Sequence, residues 1–145
     1  MVSSTTRESS LARALARYID ARTDALREAR KTLGINEMDA RALLFIAENP
    51  GLKSGELRDH LNITSAGVTT LIDRLAERDA VRREPDASDR RVSRIHLTID
   101  LRADPWNILT RFDDDLTAAA LSKGAEVTDP FAELLEELTA SASGR

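Results

Sequence analysis

The 145-residue sequence contains no cysteine. That absence excludes disulfides, thiolate metal sites and thiol-based redox sensing by this chain. No apolar run reaches the length needed to span a bilayer. The first twenty residues, MVSSTTRESSLARALARYID, have no uninterrupted apolar stretch and no small-residue cleavage site, so a cytoplasmic protein is expected. A P-loop, a dinucleotide fingerprint and a nucleophile–base motif are all missing, which leaves an enzyme reading no residue to stand on. Neither an internal repeat nor a low-complexity segment occurs. The two histidines, His60 and His96, stand alone, so a surface or packing role is expected for each. Asp113–Asp115 suggest a metal site only until their geometry is considered. Consecutive helical residues diverge by roughly 100°, so the three carboxylates do not converge on one ion. No metal and no cofactor is expected.

What is present is a folded chain. Apolar residues make up 41% and charged residues 32%, which suits one soluble domain over residues 1–145 with a real core. The net charge of −4 is unevenly spread. Residues 1–31 carry seven basic and four acidic groups, net +3. Residues 32–98 carry ten and eleven, net −1, and residues 99–145 carry four and ten, net −6. An acidic total argues weakly against nucleic acid as a partner, but phosphate responds to the local field rather than the sum.

Hydrophobic periodicity predicts a long amphipathic helix over 9–33, with Leu11, Leu15, Tyr18, Ile19, Leu26, Ala29 and Leu33 at three- and four-residue steps. Ser9 or Ser10 is placed to cap its start and Gly34 to end it. A second helix is expected from Asn36 to Glu48, stopped by Asn49-Pro50-Gly51. A short helix follows over Ser54–Leu61 with Ser54 as its N-cap. Residues 62–64 read as a turn, and Thr64 or Ser65 opens a helix through about Arg78. Its buried side is Val68, Leu71, Ile72 and Leu75. Residues 80–84 and 92–98 are β-branched and partly alternating, so they read as two strands joined by the turn chemistry of PDASD. Beyond them, Trp106, Leu109, Phe112, Leu116 and Ala119 or Ala120 form one apolar helical stripe. Gly124 breaks it, and a last helix begins with Thr128 as cap and Pro130 in its first turn.

Two helices separated by a three-residue turn and followed by a hairpin is the order of a winged helix-turn-helix. The fold expected is therefore mainly α with a small β-hairpin wing, its winged module at 36–98. Helices at 9–33 and 104–142 flank the module. Their apolar stripes need each other or a second chain for burial, so they are expected to form a homodimer. The helix from Thr64 carries hydroxyls on Ser65, Thr69 and Thr70, methyls on Ala66 and the threonines, and Gly67 for close backbone approach. This set suits base edges in a major groove. The hairpin tip carries Arg90, Arg91 and Arg94; these could be a solvated surface paired with Asp86 and Asp89, but arginine beside a groove-reading helix suits the narrow, electronegative minor groove.

The stretch TSAGVTTLIDRLAERDAVRREPDASDRRVSRIHLT resembles the recognition helix and wing of the MarR family of bacterial regulators. It has Val-Thr-x-Leu-x-Asp-Arg-Leu, a strand, Asp-x-x-Asp-Arg-Arg and a strand ending in Leu-Thr. The preceding INEMDARALLFIAENPGLKSGELRDHLNIT is similar to the family's earlier helices. The resemblance implies a homodimeric, sequence-specific DNA-binding transcriptional regulator, a repressor in most such families, on a pseudo-palindromic double-stranded operator. It maps Ser54, Thr64, Ser65, Gly67, Thr69, Thr70 and Arg74 to the DNA-facing helices and Arg90 and Arg91 to the wing. It favours Arg90 on DNA and Arg91 as partly structural, with Asp73 or Asp89 as partner. Two departures concern geometry. Asp79 stands where the family's recognition helix usually ends in Gly, and IDLRADPWN replaces a Gly-Arg pair after the Leu-Thr.

Many family members respond to small aromatic acids, so the resemblance also brings a small aromatic ligand in as a candidate partner. Tyr18, His60, Trp106 and Phe112 are available to line such a pocket, although core packing is the better expectation for each. The acidic total charge motivates a competing reading, a winged protein-interaction module without DNA binding.

Overall fold

The computed structural model describes residues 9–144. It divides into two compact units, Met1–Thr110 and Arg111–Arg145. The first contains α1 (Ser10–Leu33), α2 (Glu37–Glu48), β1 (Leu52–Lys53), α3 (Ser54–Leu61), α4 (Ser65–Glu77), β2 (Val81–Pro85), β3 (Ser93–Leu97) and a 3₁₀ turn at Trp106–Leu109. The second contains α5 (Arg111–Leu121) and α6 (Ala125–Ser143).

Local chemistry sets the helix ends. Ser9 caps α1 by accepting from the Ala12 amide at 3.0 Å. Gly34 closes it with φ 64°, a left-handed conformation that glycine adopts without steric cost. At α2, Asn36 accepts from the Asp39 amide at 2.8 Å while the Asp39 carboxylate accepts in return from the Asn36 amide at 3.4 Å. This reciprocal box satisfies two N–H groups that a helix start leaves without partners.

Ser54 is not the cap of α3 that its residue type suggested. Lys53 holds the cap position and Ser54 is the first helical residue. The Glu56 carboxylate takes the Lys53 amide at 2.7 Å, which removes the need for a hydroxyl cap. Asn62 ends α3 in the left-handed region with φ 53°. Thr64 caps α4, its hydroxyl oxygen accepting from the Gly67 amide at 3.0 Å.

The winged module packs around Leu43, Ile46, Leu57, Ile72, Leu75 and Ile95, each less than 2% exposed. These come from α2, α3, α4 and β3, so one core joins all the elements of the helix-turn-helix to the sheet. Full burial of each such side chain contributes roughly 1.5–3 kcal/mol. The sheet has the order β1-β3-β2, antiparallel throughout. Strand β1 was not expected from the sequence. Two residues are too few to show a period, and the strand exists because Leu52 and Lys53 pair with Ile95 and Arg94.

Asp79, the departure at the end of α4, adopts the left-handed conformation all the same, with φ 54°. The Ala80 amide bonds back to the Leu75 carbonyl and the Asp79 amide to the Ala76 carbonyl, both at 2.9 Å. This is the Schellman arrangement, and its two bonds with the buried Ala80 offset the cost of a non-glycine residue there. Arg78 beside it donates to the Leu33 and Gly34 carbonyls, each at 2.6 Å. A cation on the last carbonyls of α1 also complements the negative end of that helix.

The apolar stripe expected from Trp106 through Ala120 is divided. Trp106 and Leu109 lie in the 3₁₀ turn of the first unit, with Leu109 buried, while Phe112 and Leu116 lie on α5. The last helix begins at Ala125, three residues before the expected cap. Gly124 is its N-cap, and Thr128 lies inside it with its hydroxyl donating to the Gly124 carbonyl at 3.2 Å. The serine and threonine signal was that of a mid-helix back-bond, which uses the same residue types as a cap. Val127, Phe131, Leu134 and Leu138 form an exposed apolar row on α6.

Candidate nucleic-acid interface

Helix α4 has two sides. Val68, Leu71, Ile72 and Leu75 are buried, and Ser65, Ala66, Thr69, Thr70 and Asp73 are exposed. The inward side anchors the helix, so the outward side is held at a fixed rotation. On it, the Thr69 hydroxyl donates to the Ser65 carbonyl and the Thr70 hydroxyl to the Ala66 carbonyl, both at 3.0 Å. Gly67 lies against the cap. A side chain there would place its Cβ 3.1 Å from the Thr64 hydroxyl oxygen, so glycine preserves the tight helix entry. Ser54 is half-buried at the first position of α3.

Arg74 belongs to a different environment. Its Nε donates to both Asp39 oxygens at 3.1 and 3.2 Å, and its Nη2 also bonds Asp39 Oδ1. Asp39 is 3% exposed, so this fork neutralises a buried carboxylate on α2. The hydrogen bonds it donates to Asp39 hold the Arg74 guanidinium above its ordinary pKa. The side chain that the resemblance placed among the DNA-facing residues thus joins α4 to α2.

The wing is arranged by carboxylates. Asp86 accepts from the Ser88 amide at 3.3 Å, and its other oxygen from Arg94 at 3.3 Å. Arg94 also donates to the Gly51 carbonyl at 2.8 Å, tying the base of the wing to the turn before β1. Asp89 accepts from the Arg91 main-chain amide at 3.0 Å. Asp73 on α4 takes Arg83 of β2 at 2.5 Å, and Arg83 also donates to the Thr69 carbonyl at 3.3 Å. The two carboxylates considered as partners for the Arg91 side chain are therefore engaged with other groups. Arg90 and Arg91 are exposed at the tip, and neither guanidinium has a hydrogen bond or ion pair among the described residues. Arg83 and Arg78 are positions that sequence reasoning missed. Their partners lie 10 to 45 residues away, beyond the reach of any local pattern.

The Asp86 carboxyl is held below the usual carboxylate range, chiefly by the Ser88 amide and then by Arg94. A depressed folded-state value means its contribution to the wing is full above its unfolded value, about 3.9, and is lost only as pH falls through the lower folded value. The Ser88 amide resonance, followed by NMR against pH, is expected to move with a midpoint below about 3.9. A midpoint at or above that value contradicts the assignment.

His60 lies exposed on α3 with its ring stacked on Phe45, centroids 3.7 Å apart. Arg22, Leu26, Arg41, Leu44 and Glu48 complete a shallow cleft with these two rings between α1, α2 and α3. Trp106 is half-buried against the core, and Tyr18 is 37% exposed. Phe112 is half-buried on α5. Among the described residues, no three His, Asp or Glu groups come together to hold a metal, and no helix is long and apolar enough to cross a membrane.

Three helices around a small core, a hydroxyl-rich outward face on the last of them and a three-stranded sheet ending in an arginine tip define a winged helix-turn-helix protein. Residues 33–92 match the sequence model of the MarR family. By sequence, no curated protein matches the chain. Among solved structures, S. aureus MepR bound to ethidium bromide is similar at 18% identity and a TM-score of 0.64, covering 92% of this chain and 97% of that one. The S. aureus MepR–DNA complex is similar at 19% identity and a TM-score of 0.54, covering 92% and 99%. The transcriptional regulator Tm0710 from Thermotoga maritima is 23% identical with a TM-score of 0.59, covering 93% and 96%. At these identities, the likeness is one of fold.

Proposed function

We propose that this protein is a sequence-specific, double-stranded DNA-binding transcriptional regulator that acts as a homodimeric repressor. The observation that carries the reading is the pair of features on one rigid module. The outward face of α4 is polar and free of bulky side chains, and the wing tip holds two exposed arginines without protein partners. The helix face suits base edges in a major groove, and the arginines suit the phosphates and narrow groove beside it. Ser54 and Thr64, at the starts of α3 and α4, stand where backbone amides favour phosphate, and Arg74 serves as a positioning residue through Asp39.

A second copy of the chain supports two such modules on a two-fold operator. The exposed row Val127, Phe131, Leu134 and Leu138 on α6 is apolar surface for it to cover. A small aromatic ligand that releases DNA is the finer part of the reading, supported by the cleft around the Phe45–His60 stack and by MepR having been solved with ethidium bromide. The MepR–DNA complex favours DNA over a winged module that binds only protein.

The test is a gel shift with duplexes from the region upstream of the protein's own gene. Binding is expected at nanomolar to submicromolar protein, with affinity falling as a steep power of salt concentration. Failure to shift any such duplex at low salt, or salt-independent binding, contradicts the reading.

A further inference from the structure

We infer that, between Ala66 and Asp73, the side chains of helix α4 present hydrogen-bond acceptors and methyl groups but no free donors, so they select amino groups of cytosine and adenine and methyl groups of thymine. The inference rests on the DNA-binding reading and specifies what that surface recognises. Thr69 and Thr70 are exposed, but each hydroxyl lies 3.0 Å from a main-chain carbonyl oxygen one turn earlier. A carbonyl only accepts, so each hydroxyl proton is committed to the helix. What faces outward is an oxygen with lone pairs and a methyl group. Accepting from a base leaves the back-bond intact, whereas donating to a base forfeits it.

The rest of the face agrees. Ala66 adds a methyl group. Asp73 is an acceptor, and Arg83 on one of its oxygens offsets the charge that would otherwise repel nearby phosphates. Arg83 is itself a donor, but its guanidinium is held by Asp73 and the Thr69 carbonyl. Arg74, the one cation on the helix, is held by Asp39. No arginine, lysine, asparagine or glutamine is exposed between Ser65 and Asp73. The bidentate readers of guanine and adenine are therefore missing from this face. In the major groove, guanine offers N7 and O6, both acceptors, and finds no donor here. Cytosine offers its N4 amino group, adenine its N6 amino group and thymine its methyl group. Free hydroxyl protons remain only at the helix entry, on Thr64, which accepts from the Gly67 amide, and on Ser65.

The experiment uses the full-length protein and the duplex it enriches from a randomised pool. Enrichment is repeated with Thr69→Val and Thr70→Val, which keep shape and methyl groups but remove the oxygens. Positions whose base preference changes mark the contact. At those positions, single analogues are placed in the duplex: deoxyuridine for thymidine, purine deoxyriboside for deoxyadenosine, 2-pyrimidinone deoxyriboside for deoxycytidine and 7-deazadeoxyguanosine for deoxyguanosine. Losing a methyl or an amino group is expected to weaken binding roughly five-fold or more, and 7-deazaguanine less than about two-fold. In the valine variants, sensitivity to amino removal disappears and sensitivity to deoxyuridine stays. A five-fold loss with 7-deazaguanine at these positions, or unchanged base preference in both valine variants, overturns the inference and leaves the DNA reading standing. If no sequence is enriched at all, the DNA reading fails and the inference with it.

Discussion

Replacing Arg90 and Arg91 together with alanine is expected to weaken DNA binding on the order of 100-fold while leaving the fold intact. Both side chains are exposed and make no hydrogen bond or ion pair within the described chain, so their loss removes nothing from the wing itself. Surface changes of that kind alter stability by about 0.5 kcal/mol or less. The turn that carries them is held by Asp86, Asp89 and Arg94, which the double variant retains. The affinity loss therefore reports contacts with DNA. Each lost phosphate contact reduces the slope of log affinity against log salt by roughly 0.9, so the double variant binds with a visibly shallower salt dependence. The order of preference among duplex sequences is expected to survive, because phosphate contacts position the protein without reading bases. Titrations by fluorescence anisotropy at several salt concentrations measure both quantities. An affinity within about two-fold of the parent, or an unchanged salt slope, removes the wing tip from the interface.

The arginines show how far the sequence could be read. Helix α4 was legible because Val68, Leu71, Ile72 and Leu75 repeat at helical spacing, and the burial of all four follows that repeat. The wing tip was legible as a turn because aspartate and serine bond to nearby main-chain amides, as Asp86 and Asp89 do. What a given arginine does was not legible. Arg74 stands in the middle of a motif that resembles DNA-reading helices, yet its partner Asp39 is 35 residues earlier. Arg83 looked like part of a charged strand and holds the helix through Asp73 and the Thr69 carbonyl. Charge is a property of residue type, whereas the choice between solvent, DNA and a buried carboxylate depends on tertiary packing. The same limit applies to β1, which exists through pairing with β3, and to the boundary near Thr110. There, a continuous apolar period continued across a break that only the three-dimensional division reveals.

The Arg74–Asp39 pair is expected to respond asymmetrically to substitution. Asp39 is 3% exposed, whereas the Arg74 side chain is 41% exposed. Arg74→Leu keeps apolar cover along the helix but strips a buried carboxylate of its counter-ion and of the three hydrogen bonds that Arg74 donates to it. Breaking a fully buried pair in this way costs about 3–5 kcal/mol. Partial exposure of the guanidinium lowers the expectation to about 2–4 kcal/mol. Asp39→Asn is the milder change. The guanidinium is already partly wet and reaches water without moving its backbone, and the amide oxygen still accepts one hydrogen bond, so about 1–2 kcal/mol is expected. Urea unfolding followed by circular dichroism, at matched protein concentration so that any self-association contributes equally, measures both. An Arg74→Leu protein as stable as the parent, or a larger loss from Asp39→Asn than from Arg74→Leu, contradicts this account. DNA binding gives a second readout of the same pair. If Arg74 acts only by seating α4 on α2, the Arg74→Leu protein that remains folded keeps the parent's salt slope while its affinity falls. A shallower slope assigns Arg74 a direct phosphate contact instead.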